Sequence, residues 1–170
     1  MSKLMAITTA GNTQAGAVFS PDRTYRYGLW RRWSDAPQLL WILLNPSTAD
    51  EHKLDPTLTR CLNFSRAWGY GGFAVGNLFA WRATQPAALY QVPDPVSPAN
   101  DTALIDAVND AALVVLGWGN HGHYRHRAAQ VLALLVNRNT PLYCLRLTAQ
   151  GQPAHPLYLK RSLALQPFEN

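Results

Sequence analysis

The sequence predicts an α/β protein, specifically a three-layer α/β/α sandwich with a mostly parallel central sheet. Short apolar segments typical of buried strands alternate with longer segments in which apolar residues recur at helical spacing. Strands that alternate with helices favour a parallel sheet covered on both faces. The apolar segments at 39–44 and 113–116 contain no polar residue, as expected for strands that are buried on both faces.

The first part of the chain predicts an N-terminal β-hairpin. Aromatic and arginine residues interleave over 17–33 after the turn residues Pro21 and Asp22, and this composition is typical of an antiparallel pair of strands. Residues 1–17 are small and polar, and they predict a flexible arm. The first central strand is then expected over 39–44.

The rest of the chain alternates helices and strands. Asp55 and Pro56 are a typical helix cap and first helical residue, and Gly69 marks the end of that helix. Apolar periodicity predicts two further helices, near 100–111 and over 122–137. The remaining strands are predicted at 73–79, 113–116 and 142–145. Since no segment has the composition of a linker, we expect one domain over 1–170.

Composition narrows the class of protein. The 170 residues are 48% hydrophobic and 15% charged, which excludes a disordered chain. A net charge of +5 favours a polyanionic partner such as nucleic acid or a nucleotide. Cys61 and Cys144 lie in apolar stretches, so we expect buried free thiols in a cytoplasmic protein. The sequence contains neither a signal peptide nor an apolar run of the roughly 20 residues that span a membrane.

A polar loop follows the first central strand. Asn45, Pro46 and Ser47 have the composition of a tight turn. They also suit a ligand site, because ligands bind at the carboxyl ends of strands in open α/β sheets. In that case the Asn45 amide holds a base edge or a water, and the hydroxyls of Ser47 and Thr48 hold a phosphate. Asp50 and Glu51 are candidate general bases, although a carboxylate in such a loop is more often a cap.

Two later residues at strand ends are candidates for ligand binding. Asn77 lies within an apolar run, where it either satisfies internal hydrogen bonds or reads the edge of a ligand. Arg82 is expected either to pair with Asp50 or Asp101 or to hold a phosphate. Right-handed crossovers place the carboxyl ends of parallel strands on one side, so we expect four segments to meet there: 45–50, 77–84, 118–121 and 155–156.

The last candidates lie in the second half of the chain. Trp118 and His121 belong to a glycine-rich turn before a basic predicted helix, and helix N-termini attract anions. The closely spaced histidines of this segment match no zinc motif, so we expect no metal ion and no other cofactor. His155 lies in a loop fixed by Pro153 and Pro156. Such a histidine is usually an exposed residue without a functional role, but it can stabilise a leaving group as a hydrogen-bond donor.

Seven motifs resemble the domain-of-unknown-function family numbered 1643: LLNPSTADE, DPTLTRC, WGYGG, NLFAWRAT, NDTAL, WGNHG and HPLYL. The resemblance extends over about 25–167, which is nearly the whole chain. That family carries no established activity, so this resemblance implies a fold rather than a function.

The order of the motifs is also similar to the uracil-DNA glycosylase superfamily. That superfamily has a G-x-N-P-G or G-E-x-P-G loop, an Asn-bearing strand followed by Arg-Pro, an apolar strand ending in Leu-Gly and a His-Pro-Ser loop. The corresponding residues here are Asn45-Pro46-Ser47, Asn77 with Arg82, Leu116-Gly117 and His155-Pro156. The resemblance implies a glycosylase-like fold in which Asn45 positions the attacking water, Asn77 reads a flipped pyrimidine and His155 stabilises the leaving base.

This sequence departs from the superfamily pattern at two positions. Leu44 stands where the first motif has its leading glycine, and Leu157 stands where the last motif has the serine that pinches the DNA backbone. Leu157 or the following Tyr158 is the only candidate for a wedge between bases. The resemblance therefore covers the order of the motifs better than their details.

We expect an enzyme that hydrolyses an N-glycosidic bond in nucleic acid or a nucleotide, with Asn45, Asp50 and His155 as catalytic residues. The residues expected to bind the substrate are Pro46, Ser47, Thr48, Asn77, Arg82, Trp118 and His121. Two alternatives stay open. One is a non-catalytic module that binds a nucleotide or nucleic acid, and the other is an enzyme that acts on a small phosphorylated metabolite.

Overall fold

The computed structural model describes residues 3–169, in which eight strands form one sheet. The strands are β1 (Leu4–Ala10), β2 (Thr13–Phe19), β3 (Arg26–Arg32), β4 (Gln38–Leu43), β5 (Gly72–Asn77), β6 (Val114–Gly117), β7 (Leu142–Cys144) and β8 (Gln166–Pro167). Their order across the sheet is β1-β2-β3-β5-β4-β6-β7-β8. Each of the four predicted central strands overlaps one of β4, β5, β6 and β7.

The sheet is mixed, so the expectation of a mostly parallel sheet is wrong. β5, β4, β6 and β7 are parallel neighbours in the middle of the sheet. β1, β2 and β3 add antiparallel strands on one side, and β8 adds another on the opposite side. Short turns join β1, β2 and β3, and such turns allow only antiparallel pairing, whereas helical crossovers connect the parallel strands.

The expected flexible arm over 1–17 is wrong for the described residues. They form β1 and most of β2, which pair antiparallel around a turn that contains Gly11 at φ 60. Ile7, Thr8 and Thr9 are β-branched and suit a strand, and β2 supplies hydrogen-bond partners for their backbone. β2 and β3 are the predicted N-terminal hairpin. Residues 1 and 2 lie outside the described residues.

Three α-helices lie in the described part of the chain: α1 (Pro56–Ala67), α2 (Asn100–Asp110) and α3 (Arg127–Leu135). The first two agree with the prediction. α3 is shorter than the predicted helix at 122–137, because Arg125 and His126 have left-handed backbone angles, φ 52 and φ 55. Residues Asn120–His126 instead form an irregular 3₁₀ segment.

Apolar side chains form two clusters, one on each face of the sheet. On one face, Leu58 and Phe64 of α1 pack with Trp41 of β4. On the other face, Leu104 of α2 and Val131 of α3 belong to the second cluster. Alternate residues of β4 enter different clusters, as the pleat of a strand requires. α1 and α2 therefore cover opposite faces.

Both cysteines, Cys61 and Cys144, are buried and unbridged. Burial raises the pKa of each thiol, so both stay protonated at neutral pH. Within residues 3–169, none of the helices has the length and apolar character needed to cross a lipid bilayer.

The connections around β4 create a switch point in the sheet. β4 lies between β5 and β6, and the chain passes through α1 to reach β5 and then through α2 to reach β6. Because these two helices cover opposite faces, a crevice is expected between the carboxyl ends of β4 and β6. Open α/β sheets bind their ligands in such a crevice.

Candidate functional site

A cleft of about 710 Å³ lies at the carboxyl ends of the parallel strands. Four segments form its walls: the loop after β4, the segment after β5, the turn after β6 and the 3₁₀ turn Pro156–Tyr158 with the residue before it. Its polar lining residues are Asn45, Ser47, Thr48, Asp55, Thr57, Thr84, Gln85, Asn120, His121, His155 and Tyr158. The four segments that the sequence placed together thus border one hollow at the switch point.

Asn45 is anchored by its amide nitrogen. Nδ2 donates hydrogen bonds to the carbonyl of Pro46 at 3.0 Å and to the carbonyl of Ala83 at 2.8 Å. Pro46 itself is buried, and its carbonyl also accepts from the backbone N–H of Ala83. Among the described residues no donor reaches Oδ1 of Asn45. This oxygen therefore offers the cleft one acceptor for a water or a ligand.

His155 begins the 3₁₀ turn Pro156–Tyr158. Its Nδ1 accepts a hydrogen bond from the backbone N–H of Leu157 at 3.4 Å. Burial lowers the pKa of His155, and the carboxylate of Asp55 opposes this shift. The imidazole is therefore neutral at pH 7, and we assign its proton to Nε2. A neutral imidazole in a cleft can donate a hydrogen bond to a leaving group.

Asp55 supplies the carboxylate of the cleft, although the sequence pattern identified it only as a helix cap. Its Oδ1 accepts from the backbone N–H of Leu58 at 2.9 Å, and no described residue donates to Oδ2. Its negative charge raises the pKa of His155 and of Arg26 against the larger effect of burial. One signal was available in the sequence: Asp55 ends the polar loop that begins at the carboxyl end of a central strand.

Asp50, the predicted general base, does not line this cleft. Its Oδ1 accepts hydrogen bonds from the backbone N–H groups of His52 and Lys53, both at 2.8 Å. Partial burial raises the pKa of Asp50, but the two hydrogen bonds lower it, and the net effect is a lowered pKa. The geometry favours the structural alternative, in which this carboxylate stabilises its own turn.

Asn77 lies below the cleft and is buried. Its Oδ1 accepts from Nη2 of Arg26 at 3.4 Å, and its backbone carbonyl accepts from Nδ2 of Asn100 at 2.9 Å. Asn77 does not line the cleft. The contacts of its two oxygens agree with the alternative of internal hydrogen bonding, whereas its Nδ2 is buried and has no hydrogen-bond partner among the described residues.

Four arginines hold the loop 47–51, and we call them the arginine clamp: Arg23, Arg26, Arg31 and Arg82. Arg26 is almost fully buried and donates to the carbonyl of Ala49 at 3.1 Å. Burial lowers the pKa of Arg26 to about 10. Its guanidinium therefore stays charged at neutral pH beneath the loop.

Each of the other clamp residues binds one residue of the same loop. The contacts are Arg31 with the carbonyl of Asp50 at 2.8 Å, Arg82 with the carbonyl of Ser47 at 3.1 Å and Arg23 with the carboxylate of Glu51 at 2.6 Å. The expected pairing of Arg82 with Asp50 or Asp101 is wrong, because Asp101 pairs with Arg127 and Asp50 binds its own turn. The clamp fixes the backbone beside Asn45.

Arg82 also lines an open depression of about 860 Å³ beside the cleft. The depression and the cleft share Ser47, Thr48 and residues 83–85. Arg82 uses Nε and Nη1 on backbone carbonyls, and Nη2 has no partner within the described residues. Ser47, Thr48 and Arg82 thus line one depression together with Arg23 and Asp22, and hydroxyl and guanidinium groups suit a phosphate.

Trp118 and His121 both line the cleft but differ in their surroundings. Trp118 is buried, its Nε1 donates to Oε1 of Gln152 at 2.8 Å, and Gly122 packs against its indole. Trp118 therefore forms a rigid wall. His121 is exposed, and its Nδ1 bonds with the hydroxyl of Tyr90 at 2.9 Å. The expected helix N-terminus next to His121 is absent, because α3 begins only at Arg127.

Within residues 3–169, no group of three or more His, Cys, Asp or Glu side chains is arranged to hold a metal ion. The cleft offers hydrogen-bonding and acid-base groups from Asn45, Asp55 and His155. These groups suit chemistry on a neutral or anionic organic ligand.

A family model matches most of the chain. The match covers residues 26–157 and is described as a protein of unknown function, DUF1643. It includes Asn45, Asp55 and His155, together with β3 to β7. Comparison with curated proteins and with solved structures gave no match. Since the match spans well over half of its length, the chain belongs to the DUF1643 family.

Proposed function

We propose that the protein hydrolyses the N-glycosidic bond between a base and a sugar, in nucleic acid or in a nucleotide. The observation that carries this proposal is that Asn45, Asp55 and His155 line one cleft at the switch point of the sheet. They supply an acceptor for a water, a carboxylate and a neutral donor for the leaving base. Hydrolysis through an oxocarbenium-like state uses these three groups.

In the proposed reaction the bond between the sugar carbon and the base nitrogen breaks, and its electron pair leaves with the base. The Nε2–H of His155 donates a hydrogen bond to the base while negative charge develops there. A water held by Oδ1 of Asn45 attacks the sugar carbon, and Asp55 accepts the proton that this water loses. The proton then passes to the departed base. The products are the free base and a sugar that carries a hydroxyl group.

The charge of the chain supports an anionic substrate. The net charge is +5, and the depression beside the cleft carries a guanidinium N–H of Arg82 next to Ser47 and Thr48. We place a phosphate of the substrate in this depression, where the three side chains meet it. The base would then lie in the neighbouring cleft, since the two hollows share a wall.

We also infer a three-layer α/β/α arrangement similar to that of the uracil-DNA glycosylase superfamily. Two features support this inference: the order of the four motifs along the chain, and the packing of α1 and α2 on opposite faces of the sheet. The free and buried thiols of Cys61 and Cys144 support a cytoplasmic location.

The proposal is tested with a panel of oligonucleotides that each contain one damaged or modified base. The purified protein is incubated with each one, free base is detected by mass spectrometry, and abasic sites are detected by alkaline cleavage. Asn45→Ala, purified in the same way, controls for contaminating glycosylases. We expect release of base from at least one substrate, and a rate lower by about a hundredfold or more for Asn45→Ala.

Two outcomes would contradict the proposal. Equal release by wild type and by Asn45→Ala would assign the activity to a contaminant. Absence of release from every substrate, together with saturable nucleotide binding, would favour the non-catalytic binding module instead.

A further inference from the structure

Exposed aromatic side chains flank the cleft. Tyr158 lines it and is 88% exposed, and it belongs to the turn that begins after His155. Tyr90, in the 3₁₀ helix Pro86–Gln91, is 40% exposed and contacts His121 of the cleft wall. Tyr158 is almost fully exposed and Tyr90 is partly exposed, so both rings leave aromatic surface beside the polar cleft available to a ligand.

The ring of Tyr90 is held in place by a column of aromatic contacts. It packs edge-on against Tyr124, with ring centroids 4.2 Å apart, and its hydroxyl bonds with Nδ1 of His121 at 2.9 Å. Tyr124 in turn packs against Phe79, a fully buried residue, at 5.8 Å. The column therefore runs from the core to the surface and fixes the face that Tyr90 presents.

The backbone next to this column is strained. Arg125 and His126 are consecutive non-glycine residues in the left-handed region, with φ 52 and φ 55. Arg125 is held there by hydrogen bonds to the carbonyl of Pro93 at 3.0 Å and to the hydroxyl of Tyr124 at 3.1 Å. The strained turn thus secures Tyr124 and keeps a cation beside the aromatic column.

We propose that the cleft takes single-stranded nucleic acid, and that bases next to the one in the cleft stack on Tyr90 and Tyr158. The inference rests on the proposed function, because it assumes that a base occupies the cleft. Aromatic rings bind unpaired bases well since every base has a π face, whereas bases within a duplex already stack on one another. Arg125, which bonds with Tyr124 of the column, would supply a positive charge for the phosphates of such a strand.

The experiment measures affinity by fluorescence anisotropy. The probes are a labelled single strand of about 15 nucleotides without modified bases, the same strand as RNA, and the same DNA strand in a duplex, all at one salt concentration. We expect the wild type to bind a single strand at least about tenfold more tightly than the duplex. Tyr90→Ala and Tyr158→Ala should each weaken binding of the single strand by about tenfold.

Two variants serve as controls. Tyr90→Phe keeps the ring and removes only the hydroxyl that bonds with His121, so it should restore most of the affinity that Tyr90→Ala loses. Ile7→Ala removes a 64% exposed apolar side chain from β1, outside the cleft, and should also leave binding unchanged. Because Tyr158 is so exposed, its replacement by alanine leaves the fold intact, and the test does not depend on a destabilised variant.

Equal affinity for the duplex, or unchanged binding after both alanine substitutions, would overturn the inference. Release of base is measured in parallel and separates the two proposals. If the wild type releases a base while the tyrosine variants bind like it, only the stacking inference falls. If single strands bind through the two tyrosines and no base is released from any substrate, the proposed hydrolysis is wrong. The proposal that the cleft binds single-stranded nucleic acid is then still supported.

Discussion

Asp50 and Asp55 lie in one loop, and their surroundings give them different roles. The carboxylate of Asp50 accepts two backbone N–H groups of its own turn, whereas Asp55 caps α1 with one oxygen and leaves the other at the cleft. Residue types and spacing predicted a carboxylate in this loop but selected Asp50. The choice between the two depends on where the loop turns back toward the sheet, and composition carries no signal for that.

At the residue scale, the burial of His155 predicts a dependence of stability on pH. Burial lowers the pKa of His155 in the folded protein, so the unfolded chain binds its proton more readily. Above the unfolded pKa of about 6.5, the protonation of His155 does not affect the free energy of unfolding. Below that pH, the free energy of unfolding decreases, because the unfolded chain takes up the proton more readily than the folded protein. Urea unfolding at about pH 7.5 and about pH 5.5 measures this change.

His155→Gln is the matched variant, because glutamine keeps a polar side chain and does not titrate. We expect the wild type to lose more stability than His155→Gln between the two pH values. The lowered pKa values of Asp50 and Glu51 act in a more acidic range and do not enter this comparison. Equal losses for both proteins would contradict the assignment of a partly buried, neutral His155.

At the scale of elements, the arginine clamp ties β3 and its neighbours to the loop after β4. Arg31 is buried and donates to the carbonyl of Asp50, while the next residue, Arg32, is exposed on the same strand. Arg31→Met should lower the free energy of unfolding by about 1–3 kcal/mol, because the loop carbonyl loses a charged donor. Arg32→Met should change it by no more than about 0.5 kcal/mol.

Urea denaturation of both variants measures the difference. Equal stability of Arg31→Met and Arg32→Met would mean that the clamp does not hold the loop. The clamp itself was not evident from the sequence, since aromatic and arginine residues that alternate over 17–33 predict only a hairpin. The antiparallel pairing of β3 with β5 brings those guanidinium groups to the loop, and no local pattern encodes that pairing.

The elements that the sequence predicted correctly are those with strong local signals. Asp55 and Pro56 located the start of α1, and uninterrupted apolar runs located β4 and β6. Two predictions failed where the decisive contact is distant or the backbone is unusual. β1 is a strand because β2 pairs with it, and α3 starts late because Arg125 and His126 adopt left-handed angles.

At the scale of the whole molecule, the convergence of distant loops follows from the alternation of strands and helices. The crossovers place the ends of β4, β5 and β6 on one side, so polar residues that follow each strand border the same cleft. This argument located Asn45 and His155 correctly within the cleft. It could not show that Asn77 lies outside the cleft, because a shift of one residue along a strand decides whether a side chain enters the cleft or lies beneath it.

The central claim is that Asp55 serves the reaction in the cleft while Asp50 serves only its turn. The single-turnover rate of base release by Asp55→Asn and Asp50→Asn tests it most directly, on the substrate that the oligonucleotide panel identifies. The Oδ1 of asparagine accepts backbone N–H groups as that of aspartate does, so Asp55→Asn keeps the helix cap and Asp50→Asn keeps its turn. We predict that Asp55→Asn loses about a hundredfold or more in rate at unchanged substrate affinity, and that Asp50→Asn retains the wild-type rate. A wild-type rate for Asp55→Asn, or a loss confined to Asp50→Asn, would contradict the account.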